Sequence, residues 1–224
     1  MKRQLTTLLI ALNLASYAQN NCDCDKKPEL KTFISCKPTV FQNGAMLFRQ
    51  FDCNSSRLIF KNGRITKKIY EHEKDFIHLT PKLGYTYWWE YKNAFLIENR
   101  LISGCCDPSE YILFNKSNGE IISKLGTSLY QTEKQNDKPF ILTLENYNTL
   151  LLTNLSTNKS YQIHLPKGLL EKSLETSKYL FVEYLFEEGR LIKNDFYIKY
   201  NHRENIKDNW KSTVLKFKLS AYGI

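Results

Sequence analysis

Six cysteines are the residues of this chain best suited to chemistry. They form two close pairs and two single positions: Cys22, Cys24, Cys36, Cys53, Cys105 and Cys106. Thiols can form disulfides, exchange electrons or ligate soft metal ions. In an exported chain an even number of cysteines is most simply a set of structural disulfides, and six thiols allow about fifteen pairings. All six are therefore candidate disulfide cysteines.

One pairing can be argued from local geometry. Cys36 and Cys53 flank a segment, residues 39–52, that turns near Asn43-Gly44. If the segment is a hairpin, the two thiols face one another across its open end at a distance that a disulfide can close. Closing such a short loop would contribute about 3 kcal/mol by restricting the unfolded chain. The sequence therefore predicts a Cys36–Cys53 bridge.

The remaining thiols form two doublets, Cys22-Asp-Cys24 and Cys105-Cys106. The simplest arrangement joins one doublet to the other, because adjacent cysteines close a strained ring when they bond to each other. Two alternatives use the thiols chemically. The adjacent pair could act as a redox-active dithiol, although Asp107 beside it opposes a lowered thiol pKa. Four thiolates could instead bind Zn²⁺ or Cu⁺, although the spacings are not those of ordinary zinc modules.

An aromatic run at residues 85–91 predicts the most unusual strand. Side chains alternate between the two faces of a strand, so Tyr85, Tyr87, Trp89 and Tyr91 share one face and Trp88 lies on the other. If exposed, the first set would form a flat platform suited to sugar rings or to an apolar surface of a partner protein. The candidate aromatic binding residues of this strand are therefore Tyr85, Tyr87, Trp88 and Trp89. Burial as one wall of the core is the commoner outcome, and Trp88 is then the residue expected to stay partly exposed.

His72 lies between two carboxylates, Glu71 and Glu73. A histidine with carboxylate neighbours can act as a general base or a metal ligand. Three consecutive strand residues cannot all point the same way, so we interpret the triplet as a solvated charged turn. The sequence contains no nucleophile elbow, zinc-protease motif, phosphate loop or dinucleotide fingerprint. It therefore predicts no catalytic residue, no metal site and no cofactor.

The elements that must position these residues are short β-strands separated by turn residues. Asn62-Gly63 between two apolar runs predicts a two-residue hairpin turn, because Asn and Gly tolerate the positive φ that this turn requires. Further hairpins are predicted over 111–125, 150–165 and 181–200, and a last strand over 213–219. Pro166 to Lys178 is the best helix candidate, and 201–211 a second short helical turn.

These elements predict a mainly β fold, an antiparallel hairpin or meander domain with one short helix near 166–178. A sandwich, an open barrel and an irregular propeller-like arrangement are all compatible with the pattern. The predicted organisation is a signal peptide over 1–18, an irregular cysteine-containing arm over 19–38 and a single antiparallel β domain over 39–224. With 42% hydrophobic and 13% aromatic residues the chain can build a core.

The first residues have the three-part layout of a secretory signal. Lys2 and Arg3 precede an apolar run of residues 5–15, and small residues lead up to Ala18. The run is shorter than the ~20 residues of a membrane-spanning helix, and no later segment is apolar enough to span. We therefore expect export to the periplasm or the extracellular space after cleavage near Ala18. A composition rich in Lys, Asn, Ile, Leu and Tyr, together with this short signal, is typical of a bacterial source.

The chain is basic, with a formal net charge of +9 that is scattered rather than massed on one segment. Such a charge suits anionic surfaces such as lipid headgroups or cell-wall polymers, and it also keeps proteins in solution. No nucleic-acid-binding motif is present, and export argues against that class of ligand. The sequence favours an exported, non-enzymatic binding or structural protein of the cell envelope, whose partner is another protein or an envelope polymer. The alternative is an exported enzyme, either a hydrolase with converging carboxylates or a thiol oxidoreductase using the adjacent cysteines.

Overall fold

The computed structural model describes residues 22–73, 85–99, 108–132 and 137–224, and it is mainly β, as predicted. The described residues form fourteen strands in three antiparallel sheets. Their bounds are β1 Thr39–Val40, β2 Met46–Phe51, β3 Ser55–Asn62, β4 Ile65–Glu73, β5 Tyr85–Glu90, β6 Ala94–Asn99, β7 Glu110–Asn115, β8 Ile121–Gln131, β9 Phe140–Asn146, β10 Thr149–Asn154, β11 Lys159–His164, β12 Arg190–Ile192, β13 Asp195–His202 and β14 Lys211–Lys218.

Helix is scarce in the described part of the chain. A single helical turn, α1, spans Leu30–Phe33, and a second helix, α2, spans Leu169–Glu175. The second lies inside the predicted range 166–178 and buries Leu170. Two short 3₁₀ helices follow at Val182–Leu185 and Leu219–Tyr222. No helix among the described residues is both long and apolar enough to cross a bilayer.

All three sheets are meanders, which confirms the predicted class of connection. The sheets have the orders β1-β2-β3-β4, β11-β10-β9-β8-β7-β6-β5 and β12-β13-β14, so every neighbour in a sheet is a neighbour in sequence. A two-residue turn joins β3 to β4 as predicted, but it lies one position later, at Gly63-Arg64, because Asn62 pairs with Ile65. Gly63 has a positive φ of 57°. The predicted hairpins over 111–125 and 150–165 are likewise present as β7–β8 and β10–β11.

Two predicted elements are wrong. The apolar run at 181–186 was expected to pair with 190–193 as a hairpin, but Val182–Leu185 is a 3₁₀ helix. Arg190–Ile192 pairs instead with β13, through the tight turn at Lys193-Asn194. The range 201–211 was expected to be helical, yet it comprises the end of β13, a loop over 203–210 and the start of β14.

The chain divides into two compact units. Among the described residues the first comprises 22–73, 85–87 and 115–120, and it contains the four-stranded sheet. Leu47 and Phe60 are fully buried within it. The amide of Asn43 donates to the carbonyl of Lys116 at 2.9 Å, and that of Asn62 donates to Ser117 at 2.8 Å. The single β domain predicted over 39–224 stays a prediction.

The second unit holds the rest of the described residues, including the three-stranded sheet. Its core is a chain of aromatic contacts: Phe196 lies 4.5 Å from Tyr130, 5.3 Å from Phe140 and 5.8 Å from Phe217 between ring centroids. Gly126 on β8 has a φ of 78°, and a Cβ there would lie 2.3 Å from the carbonyl oxygen of Leu144. Only glycine allows β8 to approach β9 this closely.

Candidate functional site

Two disulfides fix the arm that precedes β1: one closes a loop within the arm, and the other ties the arm to the turn after β2. They join Cys22 to Cys36, with 6.4 Å between Cα atoms, and Cys24 to Cys53, with 4.8 Å. Cys22 forms a parallel bridge with Phe51 at the end of β2, and this bridge brings Cys24 beside Cys53. The arm is therefore an extra partner of β2 that one disulfide, Cys24–Cys53, fixes in place and that the other, Cys22–Cys36, closes into a loop.

The predicted Cys36–Cys53 bridge is wrong, and the register of the hairpin explains why. Thr39 lies opposite Leu47, so the same ladder continued toward the open end would place Gln50 opposite Cys36. Cys53 lies three residues farther along, about 10 Å away at the rise of an extended chain. The predicted bond between the two doublets is also wrong, because Cys22 and Cys24 bond to partners in the first unit.

The bridges cover a small apolar cluster. Cys24 is buried and packs with Leu30 and Ile34 of the arm and with Phe51 of β2, while the other three cysteines lie at the margin. One turn of helix, α1, presents Leu30 to this cluster, and the amide of Ile34 donates to the carbonyl of Leu30 at 2.8 Å. Since so few apolar residues take part, the covalent bonds contribute much of what holds the arm.

Cys105 and Cys106 lie outside the described residues. The other four cysteines bond among themselves.

The predicted aromatic strand is β5, and its side chains have different environments. Tyr87 is 56% exposed, while Trp88 and Trp89 are half-buried. Trp89 stacks on Tyr111 with 6.0 Å between ring centroids. The side chain of Tyr85 lies outside the described residues. A binding role for this strand stays a prediction.

His72 does not lie in a solvated turn, so that interpretation is wrong. It is a residue of β4 and is only 2% exposed. The alternation argument itself holds, because Glu71 points to the opposite face and pairs there with Arg57 at 2.8 Å and with Lys68. Burial lowers the pKa of His72, which favours the neutral imidazole. Its Nδ1 lies 3.1 Å from the hydroxyl of Tyr70, and the two rings meet edge to face.

A neutral histidine hydrogen-bonded to a tyrosine can shuttle a proton in principle. It would need a carboxylate, a nucleophile or a metal nearby to do chemistry. In the ranges that the structure describes, no three His, Cys, Asp or Glu side chains come together as a metal site requires. Tyr70 and His72 lie on the face of the sheet that carries Leu58, so packing accounts for their burial.

Sequence reasoning missed the outer face of the three-stranded sheet, which we call the basic sheet face. Its register places side chains in rows: Arg190, Tyr197 and Lys216 in one, Ile192, Asp195 and Lys218 in the next, and Lys199 with Val214 in a third. The opposite face is buried, since β13 alternates between half-buried outer residues and buried inner ones such as Phe196, Ile198 and Tyr200.

The charges on the basic sheet face are partly paired. Lys216 contacts Asp195 at 2.8 Å, and its ammonium lies 5.5 Å from the centre of the Tyr197 ring. The hydrogen bond from Lys216 holds the pKa of Asp195 below its usual range. Lys199 contacts Glu187 at 2.6 Å. Arg190 and Lys218 form no direct ion pair among the described residues. The hydrogen bond from Lys199 lowers the pKa of Glu187, and the charge of Arg190 adds to this effect. The charge of Lys218 likewise adds to the effect of Lys216 on the pKa of Asp195. The face thus carries four cations, Arg190, Lys199, Lys216 and Lys218, near two carboxylates.

Beside the same sheet lies a small open groove. Its volume is about 250 Å³, large enough for a few water molecules or a small organic group. Phe140, Leu191 and Leu219 supply apolar walls, and Asp137 and Lys193 supply charges. The groove brings together no set of groups that would perform a reaction.

The sequence matches no protein-family model, and no curated protein resembles it at a significant level. A functional argument therefore rests on the chain's own residues. The strongest features are the double disulfide at the arm and the basic sheet face. A clue to the second was present in the sequence, because residues 190–218 contain eight lysines and arginines but only three acidic residues.

Proposed function

We propose that this protein is exported and acts as a binding protein in the cell envelope or the extracellular space. The two disulfides of the arm carry the proposal. Structural disulfides form and persist in oxidising compartments and are rare in the reducing cytosol. The basic head, short apolar run and small residues before Gln19 are the address that would bring the chain there.

A binding role is supported by where the exposed apolar side chains lie. Five large apolar residues with at least 40% exposure belong to the sheet that carries the basic face or to the loop within it: Leu191, Ile192, Ile206, Trp210 and Val214. Concentrated exposed apolar surface marks sites where proteins meet partners, whereas single exposed residues are ordinary. The partner in this proposal is a component of the envelope.

Export can be tested on the full chain expressed in a bacterial host. We expect the periplasmic protein to begin at Gln19 by intact mass, and peptide mapping without reduction to recover the Cys22–Cys36 and Cys24–Cys53 links. Leu9→Arg places a charge in the apolar run and should leave the unprocessed chain in the cytoplasm. Leu9→Ile keeps the run apolar and serves as the control. An unprocessed wild-type chain with free arm thiols would contradict the proposal.

A second candidate function, thiol–disulfide exchange, is favoured by the cysteine pairing. Since the other four cysteines are bonded among themselves, Cys105 and Cys106 have only each other or an external partner. In the exchange their two thiols would become one disulfide, while an external disulfide such as oxidised glutathione would take up two electrons and two protons and become two thiols.

The measurement for this second function is a redox titration in glutathione buffers, read by alkylation and mass. A reversible transition confined to Cys105 and Cys106, at a potential above about −300 mV, would support it. Thiols that stay alkylatable at every potential, or a bond that never opens, would contradict it. Cys105→Ser with Cys106→Ser is the control that should abolish the transition.

A further inference from the structure

The segment that forms the three-stranded sheet carries much of the chain's charge. Residues 190–218 include eight lysines and arginines and three acidic residues, a net charge of +5 against +9 for the whole sequence. The same segment contains five of the fifteen large hydrophobic residues that are exposed in the described chain. Cationic and apolar exposure thus coincide within one short segment, which comprises the three-stranded sheet and the loop between β13 and β14.

The loop between β13 and β14 is held rigidly although its apolar side chains face solvent. The backbone amide of Arg203 donates to the Ser173 hydroxyl at 3.0 Å, and its guanidinium donates to the Thr176 hydroxyl at 3.2 Å and to the Ile206 carbonyl at 3.2 Å. The guanidinium also lies 4.5 Å from the centre of the Trp210 ring.

Hydrogen bonds within the loop complete this frame. The Asp208 carboxylate accepts from both the backbone and the side-chain amide of Asn205 at 3.0 Å, so part of its charge is used inside the loop. Ile206 nevertheless remains 71% exposed, more than any other large hydrophobic residue of the described chain except Leu180. A fixed backbone that presents an isoleucine to water is preorganised for contact with an apolar phase.

We propose that the basic sheet face and the 203–210 loop form a docking surface for an anionic lipid bilayer. In this arrangement Ile206 and Trp210 enter the boundary between headgroups and acyl chains. Lysines and arginines of the sheet contact the lipid phosphates. This inference rests on the proposed function, because it names the envelope component that the exported protein binds.

Three features favour a bilayer over other anionic partners. The segment 190–218, with a net charge of +5, is attracted to the negative potential of an anionic membrane. Exposed isoleucine and tryptophan beside lysines are the residue types of interfacial membrane segments. A dissolved polyanion would use the cations but leave the apolar side chains in water, so it accounts for only half of the surface.

The test uses the purified, oxidised protein of residues 19–224 and sedimentation with sucrose-loaded vesicles. Vesicles of phosphatidylcholine with 30% phosphatidylglycerol are compared with vesicles of pure phosphatidylcholine, both at low and at high salt. We expect binding to the anionic vesicles that weakens as salt increases, since the cations contribute electrostatically. No binding to the anionic vesicles at low salt would overturn the proposal.

Matched variants separate this surface from general effects of composition. Ile206→Ser with Val214→Ser should weaken vesicle binding by about tenfold, because it removes apolar contact. Ile121→Ser with Val40→Ser makes the same changes at residues that are 53% and 55% exposed elsewhere, and it should bind as the wild type does. Circular dichroism would verify that each variant is folded.

Charge variants follow the same design. Lys207→Gln with Lys218→Gln should weaken binding by about fivefold for each lysine lost. Lys159→Gln with Lys172→Gln removes two exposed lysines outside the sheet and should change it much less. Equal losses for both pairs would mean that net charge alone drives binding, and would overturn the proposal.

A last experiment distinguishes binding to lipid from binding to a dissolved polyanion. Inorganic polyphosphate is titrated against the wild type and against Ile206→Ser with Val214→Ser. The proposal expects the serine variant to keep its affinity for polyphosphate and to lose affinity for vesicles. If the variant binds vesicles as well as the wild type does, the surface is a polyanion site instead. The export assay is unaffected by any of these outcomes, so failure of this inference and failure of the proposed function can be told apart.

Discussion

Removing the Cys24–Cys53 bridge should destabilise the first unit by an amount that depends on the length of the loop that the bridge closes. The bond closes a loop with a sequence separation of 29, which corresponds to about 3.6 kcal/mol of lost chain entropy in the unfolded state. The Cys22–Cys36 bridge offers the unfolded chain a shorter path of about 20 residues between the same ends, and this lowers the estimate to about 3.3 kcal/mol. The Cys22–Cys36 bridge, with a separation of 14, should contribute about 3.0 kcal/mol.

The variants are Cys24→Ala with Cys53→Ala and, for comparison, Cys22→Ala with Cys36→Ala. Both are made in a background in which Cys105 and Cys106 are alanine, so that no free thiol can exchange with the remaining bridge. Alanine suits the buried position of Cys24 better than serine, whose hydroxyl would need a hydrogen-bond partner among Leu30, Ile34 and Phe51.

The assay must report on the first unit. Trp88, Trp89 and Trp210 all belong to the second unit, so tryptophan fluorescence alone would miss the change. Hydrogen exchange read by mass spectrometry follows the amides of the arm directly, including Asp23, which donates to the Phe51 carbonyl. Losses under about 1 kcal/mol for both variants would refute the reasoning, because the arm would then be held by packing and not by its bridges.

Three further predictions concern single side chains. Burial lowers the pKa of His72, so its contribution to the free energy of unfolding should be fully present above about pH 6.5 and should fall below it, by at most about 1.4 kcal/mol per pH unit. His72→Gln should flatten this pH dependence in denaturant titrations at pH 5 to 7. An unchanged slope in the variant would contradict the prediction. Gly126→Ala should cost about 3 kcal/mol in thermal or urea unfolding, since the new Cβ meets the Leu144 carbonyl at a positive φ. Arg203→Lys should lower the free energy of unfolding by about 1.5 kcal/mol and speed amide exchange across 203–210, because lysine cannot reproduce the forked hydrogen bonds of the guanidinium. Equal exchange rates in the variant and the wild type would count against a role of Arg203 in holding the loop.

The hairpins were predictable because their signals are local. The glycine after Asn62 marks the turn, and its φ of 57° is the positive value that a two-residue hairpin turn requires, although the turn residues are Gly63-Arg64 and not Asn62-Gly63. Alternating or continuous apolar runs on either side then define two strands that can only pair with each other. The same reasoning located β7–β8 and β10–β11, so the meander class followed from turn residues and periodicity.

The disulfide pairing was not predictable from such signals. β1 is only two residues long, so the hairpin ladder ends before it reaches Cys36. What decides the pairing is the isolated bridge between Cys22 and Phe51, a non-local contact of an arm without periodicity. The sequence shows that the thiols exist but not which strand the arm will join.

The strand predicted over 181–186 was wrong for a different reason. It combines apolar and aromatic residues as a buried strand does, and short apolar runs do not distinguish strand from helix. The neighbouring Gly189 is buried, and a Cβ there would lie 2.6 Å from the Phe196 ring. The conformation of the segment depends on packing against the aromatic core of the second unit. Local sequence pattern does not predict that non-local packing.

His72 and the basic sheet face were missed because burial depends on what covers a strand. Alternation correctly separated His72 from Glu71, but the sequence does not state which of the two faces the sheet buries. On β13 the alternation is equally plain, with Phe196 and Ile198 on one face and Tyr197 and Lys199 on the other. The register then adds Lys216 and Lys218 from β14 to the outer face, so charges that are scattered along the chain become neighbours. A surface of this kind is a property of strand pairing, and it is at this level, rather than in any single motif, that the chain offers its clearest basis for binding a partner.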